Sequence, residues 1–328
     1  MKRVIVTGIA AAAFAMTSVA SASATHLKIL TSWNKDNWPT YAVLDMFVKK
    51  VAAIGKGEIT FTINGPEVVP AFEQLQPVSA GVFDILYTHG IYHVGSNGLA
   101  FVFDGIDPGA KKRRAAGLVD YVDKYYQKHN NVKMLGIVSN SNHGYHIFSK
   151  EPLDKNGMLT GRKIRGTQSY FGVIKLLGGS PVVMPGGQIY TALQKGVIDG
   201  AAWPAAGMLT MKHYEVAKYK VVPTFGTTNT GFFINLDKWK TLSKKDQGIL
   251  EDAAKQTEID MPAEGDKILA EENAALLKLG VHDTRLKPAM AEKVKETFAK
   301  DMWVIAKKCC ADGVAQLHEM AIKAGLTH

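Results

Sequence analysis

Short apolar strands alternate twice with segments of helical periodicity, and this alternation constrains the fold of the chain more than any other feature. In the first run, 26–31 reads as a strand, and 40–54 as a helix through Tyr41, Leu44, Phe47, Val48 and Val51. Residues 58–63 alternate like a strand, Phe72, Leu75 and Val78 mark a helix, and 83–87 is strand-like again. The second run has strands at 132–138 and 144–149, a strand ending at Arg165, a helix over 170–177 and a strand at 182–184. Ile189, Leu193 and Val197 then form an i, i+4, i+8 stripe, and 231–236 is a further strand. Beyond it the chain reads as almost wholly helical, with Ser243 an N-cap for 244–255 and Pro288 the first residue of a last long helix. Such a rhythm makes open sheets with helices on both faces, the α/β class.

The N-terminus points to export. Lys2 and Arg3 precede an apolar stretch from Val4 to Val19, and Ala22-Ser23-Ala24 is a small-residue cleavage site, so 1–24 reads as a signal peptide. The location expected is the periplasm. Of the 328 residues, the remaining 304 exceed one ordinary core and suit two domains. A hydrophobic content of 46% against 21% charged residues excludes a disordered chain.

The net charge of +9 drops by two with the leader and fits a solvated lysine-rich surface as well as anion steering. Cys309 and Cys310, the only cysteines, are neighbours. A bond between adjacent residues is strained, so two free thiols are expected. No second Cys or His pair has metal-ligand spacing.

One cation stands out. In Gly161-Arg162-Lys163-Ile164-Arg165-Gly166, Arg165 closes a short strand just before a glycine. Ligands of α/β sheets collect at the carboxyl ends of strands, and a guanidinium grips a carboxylate bidentately. Arg165 is therefore expected to bind an organic anion. Trp33, Tyr87, His89, Asn142 and Tyr145 follow strands or lie at the crossover, and could complete the pocket, with Asn229 in the loop before the return strand.

Three segments carry a resemblance: Ile164-Arg165-Gly166, Leu177-Gly178-Gly179-Ser180-Pro181, and the run Tyr190-Thr191-Ala192-Leu193-Gln194-Lys195-Gly196-Val197-Ile198-Asp199-Gly200. With Gly65-Pro66-Glu67-Val68-Val69-Pro70 and Asn235-Leu236-Asp237-Lys238-Trp239, they cover most of the chain in order. The chain resembles the solute-binding subunits of tripartite ATP-independent periplasmic (TRAP) transporters, the DctP-like family. The resemblance implies a two-lobed, periplasmic-binding-protein-like fold with a cleft between the lobes and long C-terminal helices. It also implies that Arg165 is the residue that salt-bridges the ligand carboxylate. The lobes are expected over 25–142 with about 236–280, and over 143–235 with about 281–328.

Many dicarboxylate and sialic-acid binders of that family carry an asparagine where this chain has Trp203, a position similar to the tryptophan of the 2-oxo-acid branch. The glutamate that precedes this tryptophan in that branch, and can help bind a cation, is replaced by Ala202. The expectation is a 2-oxo, 2-hydroxy or aromatic monocarboxylate bound without a metal or other cofactor, and delivered to small and large membrane permease subunits. Alternatives are a C4-dicarboxylate ligand, service to an ABC importer or a sensor kinase, or a secreted enzyme. The enzyme reading has little support, because Gly-x-Ser-x-Gly and phosphate-loop motifs are absent, and His318-Glu319-Met320-Ala321-Ile322 lacks the second histidine of a zinc-protease helix.

Overall fold

A computed structural model describes residues 24–106 and 109–327. The expected signal peptide lies, except for Ala24, outside the described residues. In the first half of the chain the strands are β1 (Thr25–Thr31), β2 (Ile59–Asn64), β3 (Ile85–Thr88), β4 (Val132–Ser139) and β5 (Tyr145–Ser149). Then come β6 (Lys163–Arg165), β7 (Ser180–Val182), β8 (Gly200–Pro204), β9 (Tyr219–Phe225), β10 (Asn229–Asn235) and β11 (His282–Arg285).

They form two sheets, one ordered β2-β1-β3-β10-β4 and the other β11-β9-β5-β8-β6-β7. In the first, β1 runs parallel to β2 and β3, while β10 is antiparallel to β3 and β4. In the second, β5 is antiparallel to β8 and β9, and β6 is parallel to β7 and β8. Alternation decides the faces of β1, where Leu27 and Ile29 are buried and His26 and Lys28 exposed. Two apolar cores result, and each draws residues from both sheets.

The chain crosses between sheets after β4 and returns after β9. The crossings are tied together, Asn140 N donating to Thr228 O at 2.9 Å and Thr228 Oγ1 to Gly144 O at 2.9 Å. The helix Lys244–Lys278, capped by Ser243 accepting from Asp246 N, runs behind both lobes. It packs on the helix Asp45–Gly55 and on β4, and its Glu272 holds the Gly207 amide in the second lobe. A side chain at Gly265 would collide with the Asn140 carbonyl, so only glycine lets the crossing lie against this helix.

Four expectations need correction. β10 pairs in the first sheet, so the return crossing precedes Asn229 and the expected second lobe, 143–235, is seven residues too long at that end. The last helix, Ala311–Lys323, leans on the first lobe: its Gly313 packs on Tyr125 and its carbonyl accepts from Tyr121 Oη at 2.9 Å. Val197 is half exposed, because the helix Ile189–Gln194 ends before it. Cys309 and Cys310 are bonded to each other, at a joint where Cys310 leaves helical geometry (φ −140°, ψ 41°) between two helices.

Candidate functional site

β6 is only three residues long, and its alternation sends Ile164 into the core and Arg165 toward the cleft between the lobes. There Arg165 borders a cavity of about 20 Å³, room for one water molecule, so the cleft is closed. Arg165 is 1% exposed. Its Nε and Nη2 donate to the Met184 carbonyl at 3.0 and 2.9 Å, and Nη1 to the Ala202 carbonyl at 3.2 Å. The guanidinium carbon lies 5.3 Å from the centre of the Trp203 ring. Among the described residues no carboxylate pairs with it. A guanidinium has five N–H donors, so two, one on each terminal nitrogen, have no protein acceptor among these bonds.

The facing wall is built differently. His89 Nδ1 accepts from Ile91 N at 3.2 Å, which places the ring proton on Nε2, where it is donated to Asp104 Oδ2 at 2.7 Å. Tyr145, from the second lobe, donates its hydroxyl to the same oxygen at 2.6 Å. Asn229 supplies the other oxygen with its backbone N–H at 3.0 Å and its Nδ2 at 3.1 Å. Four donors thus saturate a carboxylate that is 1% exposed. Burial, followed by the Asp104 charge, pushes the Tyr145 hydroxyl well above its ordinary value, so it remains a donor.

Of the residues singled out in the sequence, Trp33, His89, Tyr145, Arg165 and Trp203 line the cavity. Tyr87 does not: its ring lies between Trp33 and Phe232, and its hydroxyl bonds Pro39 O and Thr230 Oγ1, both at 3.0 Å. Asn229 lies behind Asp104, where its Oδ1 accepts from Arg113 at 2.7 Å. Asn142 is exposed on the outside, with its side chain on Asp266 of the long helix at 2.6 Å. Tyr87 was expected from its place after a strand, Asn142 from the crossover and Asn229 from the loop before the return strand, but their side chains point into the core or away from the cleft.

The sequence reading missed Asn140 and Thr230 at the crossings, and Thr167 and Tyr170 just after Arg165. Their signal was position: two crossing segments must border any interlobe space, and so must the loop that follows a strand-end arginine. A larger hollow of about 710 Å³ lies under the long helix. Its charged groups already have partners: Lys220 donates to Asn273 at 2.6 Å and pairs with Asp283 at 3.6 Å, and Asp266 accepts from Asn142. No group of three or more His, Cys, Asp or Glu among the described residues is placed to hold a metal ion, and no described helix is long and apolar enough to cross a membrane.

The chain is 26% identical over 321 residues to the monocarboxylate 2-oxoacid-binding periplasmic protein of Nostoc sp., covering 89% of this chain and 85% of that one. In fold it resembles a TRAP periplasmic solute-binding protein from Desulfovibrio salexigens with bound orotic acid, at a TM-score of 0.78 and 20% identity, covering 91% and 99% of the two chains. It also resembles a TRAP solute-binding protein from Bordetella bronchiseptica, whose structure holds calcium and picolinate, at a TM-score of 0.76 and 22% identity, covering 92% and 93%. The DctP pattern, bacterial extracellular solute-binding protein family 7, matches residues 31–308, and this chain belongs to that family.

Proposed function

We propose that this protein captures a small organic monocarboxylate outside the cytoplasmic membrane and hands it to the membrane subunits of a TRAP transporter. One observation carries the reading: a buried guanidinium with two unmatched N–H donors and no acidic partner among the described residues, at a cavity between two lobes. A buried charge needs a counter-charge, and a ligand carboxylate fits the fork. Trp203 stacks on the same guanidinium and offers a flat apolar face, which favours 2-oxo, 2-hydroxy or aromatic acids. The Nostoc relative is a monocarboxylate 2-oxoacid binder, and the two fold relatives hold orotic acid and picolinate, all carboxylates. Ala202 supplies no carboxylate beside Trp203, so the reading includes no metal.

The cavity has room for only one water molecule, so the lobes part to admit an acid and close over it. Closure excludes water and strengthens the attraction of Arg165 for the anion. The two crossings, between β4 and β5 and between β9 and β10, serve as hinges. The test is a thermal-shift screen of protein refolded from denaturant, against 2-oxo, 2-hydroxy, aromatic and dicarboxylic acids. A monocarboxylate at a hundred times its Kd should stabilise the fold by about 2.7 kcal/mol. A preference for dicarboxylates would remove the monocarboxylate assignment, and no shift with any acid would remove the carrier reading.

A further inference from the structure

We infer that Asn140 is a specificity determinant of the cleft: its Nδ2 donates to an oxygen on the ligand carbon next to the carboxylate. It thereby selects 2-oxo and 2-hydroxy acids over unsubstituted acids and over 2-amino acids. The inference rests on the carboxylate reading given above.

Asn140 sits in the crossing after β4, is fully buried and lines the cavity. Its backbone is fixed from two sides, by the bond from its N–H to Thr228 O and by the close approach of its carbonyl to Gly265. Its side chain is oriented as well. Oδ1 accepts from Thr230 Oγ1 at 2.8 Å. With its oxygen turned to β10, the amide presents Nδ2 away from that strand, buried and without a partner. A buried amide donor left unmatched is destabilising, and native structures keep such groups rarely.

Several neighbouring groups are already engaged. His89 and Tyr145 are committed to Asp104, Thr167 Oγ1 lies 2.9 Å from Ser169 Oγ, and Thr228 Oγ1 donates to Gly144 O. Among the described residues, Trp203 Nε1 is a further buried cavity-lining donor without a partner. It sits at the Gly207 edge of its ring, where a Cβ on Gly207 would come within 2.9 Å. Asn140 belongs to the crossing and Arg165 to the second lobe, yet both border the same space, so an acid admitted when the lobes part can meet both. With its carboxylate on Arg165, the acid has its next atom facing Asn140. A carbonyl or hydroxyl oxygen there accepts from Nδ2, a methylene cannot, and an ammonium meets it donor to donor.

Isothermal titration with 2-oxobutyrate, butyrate and L-2-aminobutyrate tests this on the mature wild-type protein and on Asn140→Ala and Asn140→Asp. Wild type should bind 2-oxobutyrate at least about tenfold more tightly than butyrate, the gain of one well-placed hydrogen bond in a buried site. In Asn140→Ala that ratio should fall to within about threefold of one. Asn140→Asp still accepts from Thr230 but turns an acceptor to the ligand, and should shift the preference from 2-oxobutyrate toward 2-aminobutyrate. If circular dichroism shows that the alanine variant does not fold, the aspartate variant decides. A wild-type ratio near one, or ratios unmoved in the folded variants, overturns the role of Asn140 and leaves the carboxylate reading standing. Failure of every carboxylate to bind wild type overturns both.

Discussion

Mild acid should unfold this protein far sooner than its carboxylates would suggest, because three histidines are buried neutral. His93, His146 and His213 are 4%, 2% and 0% exposed, and each is held down to about 3. Burial is the main cause in all three, reinforced by His89 for His93, by Lys220 and then His213 for His146, and by Arg165 for His213. In the unfolded chain each takes a proton near 6.5, whereas the native state refuses it until about 3. Their contribution to stability is therefore complete above 6.5 and is lost as pH falls from there toward 3. Between pH 7.5 and 5.5 each histidine loses about 1.4 kcal/mol, roughly 4 kcal/mol for the three, against a total of about 5–15 for an ordinary domain. Burial raises Glu258, Glu272 and Asp301, and these act oppositely: their contribution is full below the ordinary carboxylate value and fades as pH rises through the raised one. Urea unfolding at pH 7.5 and 5.5 measures the difference. A change under about 1 kcal/mol would refute the buried-neutral account. His213→Gln should remove about a third of the change.

Arg165→Ala should weaken carboxylate binding by about 2–5 kcal/mol in calorimetry, with Arg165→Lys recovering part of it; wild-type affinity in the alanine variant would take Arg165 out of the site. Gly186→Ala places a Cβ 2.7 Å from Trp203 Cζ3, so it should displace the indole, visible in tryptophan fluorescence, and weaken binding more than it lowers Tm. An unchanged spectrum would show that the loop yields instead. Glu258→Ala strands Arg114, which Glu258 holds at 2.6 and 2.9 Å, and frees the Ile137 N–H. It should cost about 3–5 kcal/mol in urea unfolding, and a loss below about 1 would contradict that pairing.

The sequence made the first lobe legible because its strands are short apolar runs, buried almost throughout in β3, β4 and β10. The second lobe was harder to read. β8 reads Gly-Ala-Ala-Trp-Pro, with little β-branched character to mark it, and β9 contains Pro223, so neither was foreseen although β8 carries Trp203. Arg165 was legible because its charge is a property of a single residue at a strand end, and Trp203 through the resemblance to the 2-oxo-acid branch. Tyr87, Asn142 and Asn229 were not placed correctly because a strand end fixes where a Cα lies but not which way the side chain leaves it. Asn140 was missed for the converse reason: an asparagine in a crossing has no periodic pattern, and its role depends on Thr230 occupying its oxygen, a contact 90 residues away in sequence.

The two buried charges at the cleft explain the sign of its ligand better than the net charge of +9 does. Asp104 accepts four hydrogen bonds and has no capacity left to attract a cation. Arg165 donates three, to neutral carbonyls only, so its charge is solvated by dipoles but not neutralised among the described residues. One donor to Asp104, Tyr145, comes from the second lobe, while His89 and Asn229 come from the first. That carboxylate therefore fastens the lobes in the closed form without competing for Arg165. An anion entering the cleft meets one unsatisfied cation and no unsatisfied carboxylate, whereas a cation meets the same unmatched positive charge and is repelled. The selection for acids is thus set by which buried group the protein leaves unmatched, and surface lysines can only hasten the encounter.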